Sequence, residues 1–148
     1  MPNSEIITCL EQKEVLLAKV MDLTKQIEVR TRQPEINLDD FLEQRVPYMK
    51  RVQKCDQLIA SNVEQLEPEQ QVRMKQVLDY EIPEAQCSEE ELCIMKLRKS
   101  CDHLLQRINV LNKSSYDEIK KQYDFAREKL IQLRKEGKTP NMFHNTRR

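Results

Sequence analysis

One glycine, Gly137, occurs in 148 residues. Glycine supplies positive φ at tight turns and lets backbone approach a phosphate closely. Nucleotide-binding GxGxxG loops, P-loops and GxSxG elbows each need at least two glycines, so all three are excluded. Tryptophan is absent, and aromatic residues make up only 5% of the chain. No stretch approaches the roughly 18 apolar residues of a membrane span, so no membrane insertion is expected. The start of the chain carries no basic segment leading into an apolar run, and no secretion signal is read there. The five cysteines (Cys9, Cys55, Cys87, Cys93 and Cys101) are odd in number and include no CxxC pair. No disulfide framework follows from them, and reduced thiols in a cytoplasmic protein fit best.

What is abundant is charge. Charged residues make up 34% of the chain, yet the formal net charge is zero. With no overall bias toward a polyanion, no nucleic acid is expected as a partner. The charge is unevenly spread: residues 61–91 carry nine acids against two bases, and residues 113–148 carry ten bases against five acids. Such asymmetry steers partners or parts of a fold toward one another.

The apolar residues recur at helical steps. Ile6, Leu10, Leu16/Leu17, Val20, Leu23 and Ile27 share one face of a first helix, with Ser4 as its expected cap. The stretch before Pro34 should end it, because a residue preceding proline leaves the α region. Asn37 and Asp40 read as the start of a second helix carrying Phe41/Leu42, Arg45, Tyr48/Met49, Val52, Cys55 and Leu58/Ile59. Pro47 inside that pattern should kink it. Pro68 opens a short third helix with Val72 and Val77/Leu78, and Pro83 closes it. Ser88 and Glu91 form an S-x-x-E capping box. The seam then runs through Met95, Cys101, Leu104/Leu105, Ile108, Leu111 and Ser115 until Gly137 caps the helix from its C-terminal side. Asn112–Ser115 has low helix propensity and is the expected weak point. The chain thus reads as all-α: an elongated antiparallel bundle of three to four helices with a long C-terminal helix. Residues 1–137 form the bundle domain, and 138–148 are a flexible basic tail carrying Met142 and Phe143.

Catalytic chemistry is poorly supplied. The histidines are His103 and His144. Cys101, Asp102 and His103 are too close in sequence to converge from one helix face. Glu89, Glu90 and Glu91 suit the positive end of a helix dipole. Cys87, Cys93, Cys101 and His103 lack the paired close spacing of zinc ligands. The expectation is a protein that is not an enzyme and has no metal or other cofactor.

The remaining functional feature is the apolar line Ile119, Tyr123, Ala126, Leu130 and Leu133. Three upstream stripes suffice for a small bundle. This fourth stripe is therefore expected to stay partly free and to bind a partner. Its flanking bases, Lys120, Lys121, Arg127, Lys129, Arg134 and Lys135, favour an acidic one. Capping the bundle or pairing in a homodimer are the alternative fates of the stripe.

The order of parts is similar to a known family. A first helix reads "EVLLAKVMDLTKQIE" and a second "LDDFLEQRVPYMKRVQKCDQLI". After a short central segment comes the long helix with "LLQRINVLNKSSYDEIKKQYDFAREKL". Over roughly residues 5–136 this resembles the flagellar type III export chaperones of the FlgN and FliT kind. The "LEQR" arginine and the "LN" before a polar helical run are the best local matches. The resemblance implies a small cytosolic chaperone without nucleotide dependence. It would bind the amphipathic terminal helix of a flagellar hook-associated, cap or filament subunit, prevent premature assembly, and deliver the subunit to the export apparatus. The alternative is a structural or adaptor coiled-coil protein with a fixed protein partner. A permanent coiled coil should hold strict a/d heptads, whereas Ser115 and mixed spacings interrupt this seam.

Overall fold

The structure, a computed structural model, describes residues 2–34 and 37–137, and among these there is no strand. Four helices make up the fold: α1 (Pro2–Arg30), α2 (Asp39–Glu64), α3 (Pro68–Leu78) and α4 (Glu89–Lys135). The expected all-α class and long C-terminal helix are both present. At 47 residues α4 is about 70 Å long. The 138–148 tail, with Met142 and Phe143, lies outside the described residues.

Local chemistry accounts for most boundaries. The Ser88 hydroxyl accepts from the Glu91 N–H at 3.2 Å, and the Glu91 carboxylate accepts from the Ser88 N–H at 2.9 Å. These reciprocal bonds satisfy donors that the start of α4 would otherwise leave open. Pro68 sits in the first turn of α3. At the far end of α4, Gly137 takes φ +74° and donates to the Arg134 carbonyl at 3.1 Å, a conformation that suits glycine. The start of α1 differs from expectation. The helix already runs from Pro2, so Ser4 lies inside it and its carbonyl accepts from the Thr8 hydroxyl at 3.0 Å. Pro47 lies within α2 without ending it.

Helix directions follow from the contacts between elements. Lys13 pairs with Asp56 at 2.7 Å and Arg45 reaches Thr24 at 3.2 Å, so α1 and α2 run antiparallel. Asn3 bonds Glu90, Cys101 donates to the Leu10 carbonyl, and Ser114 bonds Glu28. Numbers rise together in these pairs, so α1 and α4 run parallel. The segment after α3 makes this arrangement possible, because it carries the chain back to the end where α1 begins. Tyr80 starts that return with φ +63°, a left-handed conformation that costs a non-glycine residue free energy. Its phenol donates to Asp102, and Lys99 sits 5.6 Å from its ring centre.

The core has two parts. Near the starts of α1 and α4, Ile6 and Leu10 meet Ile59 and Val63 of α2, Met74 and Val77 of α3, and Ile94 and Met95 of α4. Farther along, where α3 has ended, Leu16, Leu17, Val20 and Met21 pack with Val52, Cys55, Cys101 and Ile108. Lys13 is buried between these layers, with its chain along the apolar wall and its ammonium on the half-exposed Asp56. The bundle therefore has four helices at one end and three in the middle.

Candidate partner-binding face

The weak segment Asn112–Ser115 does not break α4, which continues through it. Each of its polar side chains but Lys113 is engaged with the bundle or buried in it. Arg45 donates to the Asn112 carbonyl oxygen at 2.8 Å. Ser114 donates to Glu28 at 3.1 Å and accepts from Arg32 at 3.3 Å, while Ser115 is buried. Tertiary contacts override a modest propensity deficit. The Arg32 hydrogen bond holds the Glu28 carboxyl below the usual carboxylate range, with Ser114 and the Arg32 charge adding to it against burial.

Beyond this segment α4 outruns its neighbours. Among the described residues, its farthest hydrogen bond to another part of the bundle is from the Gln122 amide to the Thr31 carbonyl, at 2.7 Å. Residues 123–135 then extend for about 20 Å. The expected stripe lies here. Ile119, Tyr123 and Ala126 are exposed, and Leu130 and Leu133 are half-buried. Steps of four, three, four and three place all five on one helix face, in line with the seam residues Ile108 and Ser115 that are buried upstream. The apolar seam therefore continues past the point where α1 and α2 cover it. Among the described residues, Lys120, Lys121, Arg127 and Lys129 make no ion pair. Arg134 and Lys135 complete the basic last turn.

Two further exposed aromatics of α4 were not anticipated, Tyr116 upstream of the Gln122 contact and Phe125 beyond it. Tyr116, Tyr123 and Phe125 are 66–68% exposed, although the chain has only four tyrosines and three phenylalanines. Aromatic side chains supply much of the binding energy at protein interfaces. The signal was present in the sequence, but Tyr116 and Phe125 fall outside the seam spacing. A second exposed line also escaped the sequence reading. Leu42, Val46 and Met49 of α2 are 39–47% exposed, where helical spacing alone places Leu42 and Met49 in the core.

Among the described residues, those with catalytic potential are not brought together, and His144 lies outside them. Cys101 points into the core and donates to the Leu10 carbonyl, and burial pushes its thiol up to about 11. Asp102 accepts from Tyr80 and lies 3.7 Å from Arg98, while His103 faces solvent. Glu89 and Glu90 are exposed, and Glu91 is engaged by Arg73 and Ser88. No group of three or more His, Cys, Asp or Glu is placed to hold a metal among the described residues. No helix among them is long and apolar enough to cross a membrane.

Compared with protein-family models, with curated proteins and with solved structures, the chain matches none.

Proposed function

We propose that this protein is a helical chaperone of the flagellar export kind, acting in the cytoplasm. It masks the amphipathic terminal helix of an unpolymerised hook-associated, cap or filament subunit and passes that subunit to the export apparatus. One observation supports the reading most: α4 leaves the bundle with its apolar face uncovered and its aromatics exposed. An amphipathic helix is the natural occupant of such a face, because its own stripe fits i, i+3, i+4 and i+7 anchors. A subunit masked in this way cannot assemble early. Release is also easy, since affinity rests on a few anchors more than on area. The order of helices and the "LEQR" and "LN" segments support the flagellar assignment by resemblance.

The test is to recover the full chain from its native cell and identify bound proteins by mass spectrometry. A flagellar structural subunit should be present, and should be lost from a variant carrying Leu130→Asp and Leu133→Asp. A single non-flagellar protein bound in constant ratio would instead support the reading as an adaptor coiled coil.

A further inference from the structure

The outer face of α2 carries a charge pattern that its own helix does not satisfy. Residues three or four apart are neighbours on a helix surface. Leu42, Val46 and Met49 therefore form one exposed row. Asp39, Glu43, Lys50 and Lys54 form a second row along one edge of it, and all four are exposed. Among the described residues, none of the four makes an ion pair. The other charges of this stretch are placed elsewhere. Arg45 turns inward to Thr24 and Asn112, and Asp56 holds Lys13. Asp40 and Arg51 lie farther round the helix.

The edge row is divided by sign. Its acids precede Val46 and its bases follow it. Asp39 and Glu43 are four apart, as are Lys50 and Lys54, and like charges at that spacing repel within a helix. The helix dipole favours Asp39 in the first turn, but Lys50 and Lys54 sit mid-helix, where it offers them nothing. What complements the row is the same row reversed. Glu43 and Lys50 stand three and four residues from Val46, and Asp39 and Lys54 seven and eight. A two-fold axis beside Val46 sets a second α2 antiparallel to the first and keeps the two charged edges on the same side. Glu43 of one copy then meets Lys50 of the other, and Asp39 meets Lys54, each pair occurring twice. Leu42 of one copy falls beside Met49 of the other, and Val46 beside its own equivalent, so the apolar row closes on itself. A parallel pair would set acids on acids and bases on bases. Self-complementarity under a two-fold is the ordinary basis of a homodimer.

We infer that the exposed face of α2 is a homodimer interface in which two α2 helices pair antiparallel about Val46. The inference is independent of the α4 stripe and goes beyond the proposed function. Because α4 runs antiparallel to α2, the two α4 extensions leave the dimer at opposite ends, and each keeps its own stripe. One pair of helix faces is a small contact, so monomer and dimer exchange and salt weakens the dimer.

The test is sedimentation equilibrium of the full chain at low salt and at concentrations up to about 1 mM, where even a weak contact is populated. Wild type should pass from monomer to dimer. Glu43→Lys alone and Lys50→Glu alone should each weaken the dimer roughly tenfold or more, since each sets like charges face to face. An equimolar mixture of these two variants should dimerise within about threefold of wild type, because every 43–50 pair between unlike copies is again opposite in sign. Val46→Asp should weaken the dimer roughly tenfold or more by placing two carboxylates at the centre of the contact. These side chains are all exposed, and circular dichroism checks that each variant keeps the helicity of wild type. Leu130→Asp with Leu133→Asp should leave the dimer unchanged. If that variant is monomeric instead, the contact lies on α4 and the inference fails. A wild type that stays monomeric throughout leaves the face to a different protein and overturns the inference. Single variants that dimerise as wild type does, or a mixture that stays monomeric, overturn it equally. None of these three results touches the proposed role of α4.

Discussion

Arg73 of α3 and Glu91 of α4 are joined at two points, Nε to Oε2 at 2.8 Å and Nη2 to Oε1 at 3.2 Å. The second nitrogen also donates to the Gln86 carbonyl at 2.8 Å. One guanidinium therefore fastens α3, the returning segment and the start of α4. The Arg73 hydrogen bond leads in holding the Glu91 carboxyl down to about 2, with Ser88 and the Arg73 charge adding to it against burial. A carboxyl depressed in the folded state contributes stability above its unfolded pKa and loses it as pH falls through the folded one. That window runs from about 4.5 to about 2. Wild type should exceed Glu91→Gln in stability at pH 6, and the difference should shrink steadily across the window. Urea denaturation of both proteins at several pH values checks this, and a constant difference would contradict it.

The Arg45–Asn112 bond joins two helices that each pack chiefly on α1. Hydrogen bonds to a charged group contribute about 1.5–3 kcal/mol each, and removing one partner also leaves the other unsatisfied. Arg45→Ala should therefore destabilise the fold by about 1–3 kcal/mol. Chemical denaturation measures it. An unchanged midpoint would show the bond to be incidental.

Core and free segment should respond differently to truncation. Ile94 is fully buried where four helices meet. Ile94→Ala should cost about 2–5 kcal/mol, combining lost burial with a residual cavity. Phe125 is 68% exposed on the free segment. Despite its larger side chain, Phe125→Ala should stay within about 0.5 kcal/mol of wild type. If Phe125→Ala costs as much as Ile94→Ala, the segment is packed and not free.

The thiols should react in order of exposure. Cys93 is exposed, Cys9 and Cys87 are partly covered, and Cys55 and Cys101 are buried. Burial also raises the thiol of Cys101 to about 11, which lowers its thiolate fraction. Under native conditions a thiol reagent should modify Cys93 first and Cys101 only on unfolding. Replacing all five with serine or alanine should leave partner binding within a few-fold while lowering stability. Mass spectrometry of partly modified protein gives the order, and early labelling of Cys101 would contradict the fold.

Much of the fold was legible because its punctuation is local. Ser88 with Glu91, Pro68 and Gly137 each act within one helical turn, so short windows of sequence locate them. The stripes on α1 and α4 were legible because period 3.6 survives without tertiary knowledge. The continuity of α4 was not, since Asn112, Ser114 and Ser115 are held helical by contacts with Arg45, Glu28 and the bundle interior. Parallel packing of α1 with α4 depends on the path of the segment from Tyr80 to Ser88, which no periodicity encodes. The exposed line on α2 was hidden for a related reason. Leu42 and Met49 sit at core-like spacing around Arg45, and only the absence of a fourth helix at that end leaves them exposed.

The most direct test of the account is calorimetric titration of a purified flagellar hook-associated, cap or filament subunit into wild type and into Leu130→Asp with Leu133→Asp. The two leucines lie on the part of α4 beyond the bundle, so the variant should keep the helical circular dichroism and melting behaviour of wild type. The account predicts saturable binding to wild type and none to the variant. Unfolding of the variant would mark the stripe as core. Undiminished binding by the variant, or no binding of any such subunit to wild type, would contradict the central claim.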